Sequence, residues 1–382
     1  EKVAYTWFNR LMALRFMDAN DYQPLGMRVV TPRDGYSIPE ILNEAKKGHI
    51  DQELPVKSQH VYDLLDGKIP SSNPQNEAYK ELLIGACNYL NKIFPFLFER
   101  LSDYSELLLP EDITSEFSIV YNLKEGMTSE DCQEVEIIGW LYQFYISEKK
   151  DEVFSSNCKV KKEDIPAATQ LFTPRWIVEY MVQNTIGKLW LQNKPQSNLR
   201  EHMSYFIETE SLKIDEFLKV DSVEDITLLD QACGSGHILV YAFELLTKIY
   251  EEEGYNSSEI PQLIIEKNLF GFEIDQRAAQ LAGFALMMKA RSYQRRLFRK
   301  EVKTNILCFE DFQLNDAEIE ESFEYLGIKP SDELRFDLNN LRQASNLGSL
   351  MNPNSKESEL LNINKYINQR KMSSSAFLER SL

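Results

Sequence analysis

Residues 226–239, Ile-Thr-Leu-Leu-Asp-Gln-Ala-Cys-Gly-Ser-Gly-His-Ile-Leu, constrain this chain more than any other stretch. A short apolar run, Ile226 to Leu229, ends at Asp230 and passes through small residues. It then enters a helical pattern with Ile238, Leu239, Ala242, Phe243, Leu245 and Leu246 on one face. Strand, tight turn and helix in that order are the unit from which parallel α/β sheets are assembled. Gly234 and Gly236 allow the backbone to approach a ligand at the carboxyl end of the strand, and N–H groups opening the helix can receive a carboxylate. A nicotinamide or flavin fingerprint would need a third glycine at 239, which is Leu, and the Walker pattern is missing too. By itself, a G-x-G after a strand also fits an ordinary β–α turn.

The residues downstream repeat the theme. Asn268 to Asp275, NLFGFEID, reads as a strand ending in Glu273, with Ala278, Ala279, Leu281, Ala282 and Leu286 marking the helix that follows. A carboxylate at that strand end can accept hydrogen bonds from two ribose hydroxyls, and Asp275 is expected to cap the helix. The gap from Asp230 exceeds the usual ~20 residues, and the segment 256–267 accounts for it as an extra helix. A third run, Asn305 to Phe312, reads as a strand ending in acids. There Asp311 could accept from an adenine amino group with Phe312 on the ring, although acids at strand ends are common. Upstream, Gln170 to Val178 reads as a helix start, with Thr173 as N-cap and Pro174 at the first helical position.

Before this cluster the character differs. Trp7, Phe8, Leu11, Met12 and Phe16 recur at helical spacing, as do Leu82, Leu83, Ala86, Tyr89 and Leu90, then Val135, Ile138, Leu141, Tyr142 and Tyr145. Such aromatic stripes are expected to be core. The expected organisation is a mainly helical domain over 1–150, a polar linker over 151–166, and an α/β domain over 167–382.

The chain carries 42 basic and 60 acidic residues, net −18, which argues against a surface that coats nucleic acid along its whole extent. One basic stretch stands out, Lys289 to Lys300; a solvated helix end and a phosphate-facing edge are both open readings. Five scattered cysteines without a C-x-x-C pair, and four histidines without H-E-x-x-H, point away from a disulfide framework or a metal centre. No apolar run approaches the ~18 residues of a membrane span, and no signal peptide is visible at the non-Met start. A cytoplasmic setting is expected.

Taken in order, F-T-P-R at 172–175, D-x-A-C-G-S-G at 230–236, G-F-E-I-D at 271–275 and a strand ending in D-F at 311–312 resemble the class I S-adenosylmethionine-dependent methyltransferases of the N6-adenine DNA type. More narrowly, the chain is similar to the PglX-type adenine-specific methyltransferases of BREX phage-defence systems. Stretches such as VAYTWFNRLMALRFMD, EDIPAATQLFTPRWIVEYMV and IDQRAAQLAGFALMMKAR carry that likeness from residue 1 to about Leu350. The resemblance implies an α/β, Rossmann-like methyltransferase domain behind the helical one, with S-adenosylmethionine as cofactor. Thr173 and Pro174 would contact its methionine end, and Asp230, Ala232, Cys233, Gly234 and Gly236 would line the loop around it. Glu273 would hold the ribose hydroxyls, Ile274 would pack on the adenine, and Asp311 and Phe312 would meet its edge and face.

Two departures from the family pattern matter. Gln231 stands where the family usually has Pro, whose fixed φ stiffens the loop. The family's N-P-P-[YF], which binds the target amine and stacks on the flipped adenine, does not occur; Asn352-Pro353-Asn354 reads as a loop. The methyltransferase domain is therefore expected to be incomplete at its C-terminus, binding cofactor without turning over. Double-stranded DNA would be met mainly through a downstream region, with other defence-system proteins as further partners and no membrane. Two alternatives remain: a non-catalytic methyltransferase-like binding module, and the methylase part of a single-chain restriction–modification enzyme. The latter would need a P-D…E-x-K nuclease motif, which is not present here.

Overall fold

A computed structural model describes residues 2–99, 109–110, 112–156, 158–161, 164–171, 173–208, 217–311, 313, 315–362 and 365. The first half is helical, with α1 (Lys2–Ala19), α2 (Glu40–Lys46), α3 (Ser58–Leu65), α4 (Pro74–Leu90), α5 (Ile119–Gly126) and α6 (Ile137–Ser155). The local chemistry of α4 explains its start: Pro74 needs no N–H partner at the first helical position, and the Asn73 side chain accepts from Asn76 N at 3.2 Å. The three apolar stripes are mostly core as expected, with Phe8, Tyr89 and Leu141 half-buried against it and Tyr145 exposed. Leu11, Met12 and Phe16, then Leu82, Leu83, Ala86 and Leu90, then Ile138 and Tyr142 are buried in one cluster. Within it, α1 also buries charge. Arg10 donates to the carbonyls of Leu97 and Glu99, Arg15 to that of Met127, and the Asp18 carboxylate gathers the N–H groups of Val29, Val30 and Thr31. Each buried ion is thereby tied by hydrogen bonds that pin a loop onto α1.

Three shorter helices follow: α7 (Ile165–Thr169), α8 (Arg175–Val182) and α9 (Lys188–Asn193). The polar stretch expected as a linker is helical at both ends, since α6 runs to Ser155 and α7 begins at Ile165.

Next, β1 (Leu228–Asp230) leads into α10 (His237–Glu252). A short helix α11 (Ile260–Leu263) and a π-helical turn over Ile264–Asn268 occupy the expected extra-helix segment and deliver the chain to β2 (Leu269–Glu273). β1 and β2 pair in parallel, Leu228 opposite Leu269 and Asp230 opposite Gly271. From β2 the chain enters α12 (Gln276–Tyr293) and then β3 (Asn305–Cys308), giving a three-stranded sheet in the order β1-β2-β3. The expected α/β region is therefore a small sheet with helical crossovers inside a mostly helical chain. Leu269, Gly271 and Glu273 point into the protein. Gly271 is there for space: a Cβ on it would come within 3.0 Å or less of Ile306 Cδ1, Cys233 Sγ and Leu239 Cδ1. The opposite face carries Leu229 at 43% exposure and a half-buried Phe270.

Contacts divide the chain into two compact units, 1–307 and 308–382. The helical region, the glycine loop and the end of β2 all belong to the first. The second contains α13 (Asp316–Leu326), α14 (Asp332–Leu341) and α15 (Ala344–Leu347), with Ile319, Phe323 and Leu334 as its small core. Within it, Asn352-Pro353-Asn354 is a loop tied down by Asp337, which accepts from the N–H groups of Asn354 and Ser355. Among the described residues, no helix is long and apolar enough to cross a membrane.

Candidate cofactor site

The glycine loop turns tightly because both of its glycines have positive φ, +54° at Gly234 and +86° at Gly236. Gly236 is also the N-cap of α10, and a Cβ on it would press to 3.1 Å from the backbone and side chain of Ala282 on α12. The glycine therefore serves twice, permitting a left-handed residue and a close helix contact. Backbone bonds fix the loop against β2: Cys233 N donates to Phe272 O at 2.9 Å, and Gly236 N to Cys233 O at 2.8 Å. Asp230, half-buried at the end of β1, accepts from Ala232 N at 3.2 Å, and burial raises its carboxyl pKa.

Glu273 is the centre of the arrangement. It is 8% exposed, and its two oxygens hold three backbone N–H groups: Gly234 at 2.7 Å on Oε2, Ile274 at 2.9 Å and Asp275 at 3.1 Å on Oε1. Burial pushes its carboxyl up while these donors pull it down, with burial the stronger influence. Next to it, Ile274 is half-buried and stands outside the hydrophobic core, so an apolar surface is presented beside the carboxylate. Asp275 caps α12 as expected, accepting from Arg277 N at 3.0 Å.

Gln170 and Thr173 are brought to the same place. The Gln170 side chain lies over the loop, its Nε2 3.5 Å from where a Cβ of Gly234 would sit, and its carbonyl accepts from Lys150 Nζ at 2.9 Å. The backbone of Thr173 and that of Glu136 lie against the His237 ring. Desolvation, the dominant influence, lowers that imidazole to about 3. In place of the expected Thr173 cap, Pro174 is the N-cap of α8: its carbonyl takes the first helical bonds from Ile177 and Val178, but its ψ of 142° keeps it outside the helix. Arg175 then anchors α8 through Glu179 at 2.9 Å, Glu244 at 3.5 Å and Glu136 at 3.6 Å.

Thr173, Pro174, Asp230, Ala232, Cys233, Gly234, Gly236, Glu273 and Ile274 thus all fall within the first unit. Asp311 belongs to the second, where it accepts from Ser345 N at 2.9 Å and Ser345 Oγ at 2.7 Å. Phe312 lies outside the described residues. Sequence reasoning passed over Gln170, His237 and Gly271 as members of this site. A glycine in mid-strand was a usable signal for a close approach; nothing in sequence marked the other two.

The donor set suits a nucleoside. A carboxylate with a free lone pair on Oε2 can take hydroxyls, an apolar side chain flanks it, and Gly234 and Gly236, without Cβ atoms, leave backbone accessible. The basic stretch is partly committed to packing. Lys289 is half-buried and paired with Glu244, and Arg291 lies 4.8 Å over the Tyr22 ring, whereas Arg295, Arg296, Arg299 and Lys300 are exposed. Among the described residues, no three His, Cys, Asp or Glu side chains are placed to hold a metal ion.

Comparison with known proteins shows what the chain is similar to. Residues 207–316 match the family model of the MmeI DNA-methyltransferase domain, a span that includes the glycine loop and Glu273 and begins after Thr173-Pro174. The chain is homologous to the adenine-specific methyltransferase BrxX of Escherichia coli O9:H4 (strain HS), with 45% identity over 326 residues, 84% of this chain and 26% of that protein. It is likewise homologous to the adenine-specific methyltransferase PglX of Lacticaseibacillus casei (strain Zhang), with 38% identity over 325 residues, 80% of this chain and 27% of that protein. The chain spans about a quarter of the length of these curated relatives.

Proposed function

We propose, from this kinship with adenine-specific methyltransferases, that the chain is the S-adenosylmethionine-binding part of an enzyme that methylates adenine N6 in DNA, acting in phage defence or restriction–modification. The observation that carries the reading is the Glu273 carboxylate closed onto the glycine loop, at the joined ends of two parallel strands. The strand order β1-β2-β3 with helical crossovers supports a Rossmann-like class I arrangement.

When bound, S-adenosylmethionine supplies a methyl group on a cationic sulfur. The chain's part is to hold and orient it. Glu273 receives the ribose hydroxyls, and Ile274 covers the adenine. Asp230, Ala232, Cys233, Gly234 and Gly236 surround the middle of the molecule, with the opening of α10 favouring its carboxylate. Thr173 and Pro174 close the methionine end. Roles for Asp311 and Phe312 at the adenine rest on the family resemblance alone. The chain holds no N-P-P-[YF] string, so cofactor binding rather than methyl transfer is the activity proposed for it. Double-stranded DNA and other defence-system proteins are the partners proposed for the whole protein, and the cytoplasm its location.

Calorimetric titration with S-adenosylmethionine tests the reading, with Glu273→Ala and Gly234→Asp as controls. Saturable one-site binding, lost in both variants, is expected. A well-folded wild-type chain that takes up no cofactor would overturn the proposal in favour of a non-catalytic methyltransferase-like module.

A further inference from the structure

We infer that the helical region is a working part of the cofactor site, and that Tyr142 on α6 is the positioning residue through which it acts on Glu273; this rests on the cofactor reading above. Tyr142 is 1% exposed, and its hydroxyl donates to Oδ2 of Asp275, itself 5% exposed. Burial raises the phenol pKa well above its usual range, so the hydroxyl stays protonated and donates. Oδ1 of the same carboxylate caps α12 through Arg277 N at 3.0 Å. The backbone N–H groups of Asp275 and Ile274 both donate to Glu273 Oε1, and Glu273 Oε2 reaches Gly234 N. A continuous relay therefore runs from a helix of the N-terminal half to the glycine loop, over a sequence separation of 133 residues at its first step.

Other contacts from the helical region land on the same two turns of α12. The Arg277 guanidinium lies 3.8 Å from the centroid of the Tyr5 ring, and Asn9 Nδ2 donates to Gln280 Oε1 at 3.4 Å. Tyr5 and Phe8 in turn pack on Tyr145, at 4.6 and 4.5 Å between centroids, tying α1 to α6. A phenylalanine at 142 would fill the same space. The hydroxyl holds Oδ2 of the buried Asp275 carboxylate, whose Oδ1 is held by Arg277, and without it Oδ2 loses its donor in a desolvated position. The turn over 273–275 then has one fewer constraint, and Glu273 loses its fixed aim.

Tyr142→Phe in the whole chain is the test, read by calorimetric titration with S-adenosylmethionine and by urea unfolding. Loss of a hydrogen bond to a buried charge predicts about tenfold weaker binding. Tyr79→Phe is the control: Tyr79 is equally buried in the helical region, and its hydroxyl donates to Val29 O at 3.0 Å, with no link to α12. It should lower stability without moving the affinity. Asp275→Asn should weaken binding similarly, and adding Tyr142→Phe to it should cost nothing further, because both act through one carboxylate. Wild-type affinity in Tyr142→Phe, equal weakening in Tyr79→Phe, or additive effects with Asp275→Asn would each overturn the inference. A wild-type chain that binds no cofactor while Tyr142→Phe still folds would locate the failure in the cofactor reading, and the role of Tyr142 would fall with it.

Discussion

The Glu273 carboxylate accepts the backbone N–H of Gly234 at 2.7 Å, joining two motifs that lie 39 residues apart in sequence. One side chain thereby sets the distance between the loop that would surround the cofactor's middle and the acid that would hold its ribose. The bond is made by the protein alone, so the site is assembled before any ligand arrives, which lowers the ordering cost of binding.

Replacing Glu273 should therefore act on both folding and binding. Glu273→Ala leaves three N–H groups, one of them fully buried, without their partner and should cost about 2–3 kcal/mol, seen as a lower urea midpoint. Glu273→Gln, which keeps the shape but turns one oxygen into a donor facing N–H groups, should retain most of the fold and bind S-adenosylmethionine at least about tenfold more weakly. Tight binding by Glu273→Gln would mean that the carboxylate is not the ribose acceptor.

Gly236 and Gly254 separate two reasons for a glycine. Both have strongly positive φ, but a Cβ on Gly254 meets nothing within 4 Å, whereas one on Gly236 meets Ala282 at 3.1 Å. Gly254→Ala should cost about 1–2 kcal/mol from backbone conformation alone. Gly236→Ala should cost a further ~1–3 kcal/mol from overpacking. Equal costs in parallel urea titrations would show that α12 yields at this contact.

Acid should weaken the fold through His237. Its imidazole is held down at about 3 in the folded chain, so below about 6.5 the unfolded chain binds a proton that the folded chain does not. Stability from this group is present above that value and is lost as pH falls toward 3, at about 1.4 kcal/mol per pH unit, or roughly 2 kcal/mol by pH 5. His237→Gln should flatten the decline in unfolding free energy between pH 7 and pH 5. An unchanged slope would show that the ring is protonated in the fold.

Asp18 works in the opposite direction. Burial lifts its carboxyl to about 6 despite four hydrogen-bonding groups on it, so the folded chain keeps a proton that the unfolded chain releases near pH 4. That contribution is complete below pH 4 and lost as pH rises through about 6. The destabilisation caused by Asp18→Asn should accordingly be larger at pH 5 than at pH 7, by about 1 kcal/mol. A penalty that grows with pH would mean that the carboxylate is ionised and stabilising throughout.

Much of the site was legible in the sequence because its parts obey local rules. Asp230, Gly234 and Gly236 advertise a strand end and a left-handed turn, Glu273 a second strand end, and Asp275 a helix cap, each decided by neighbours within a few residues. The aromatic stripes likewise announced a core, since periodicity alone selects the buried face of a helix. One local reading slipped by a residue at Thr173-Pro174, because ψ at a proline is free to leave the helix. The polar stretch over 151–166 is helical at both ends, since a polar surface is also what a solvated helix end carries.

Only the tertiary structure decided which of these parts meet. That Glu273 closes on Gly234, that Gln170 lies over the loop, that His237 sits against Thr173, and that Tyr142 is a hydrogen-bond donor to Asp275 rather than simply core all depend on contacts between distant segments. The physical reason is one of range. Backbone conformation, capping and hydrophobic period are set by energies that act over a turn or two of chain. The partner of a buried polar group is set instead by whichever segments the apolar core brings together.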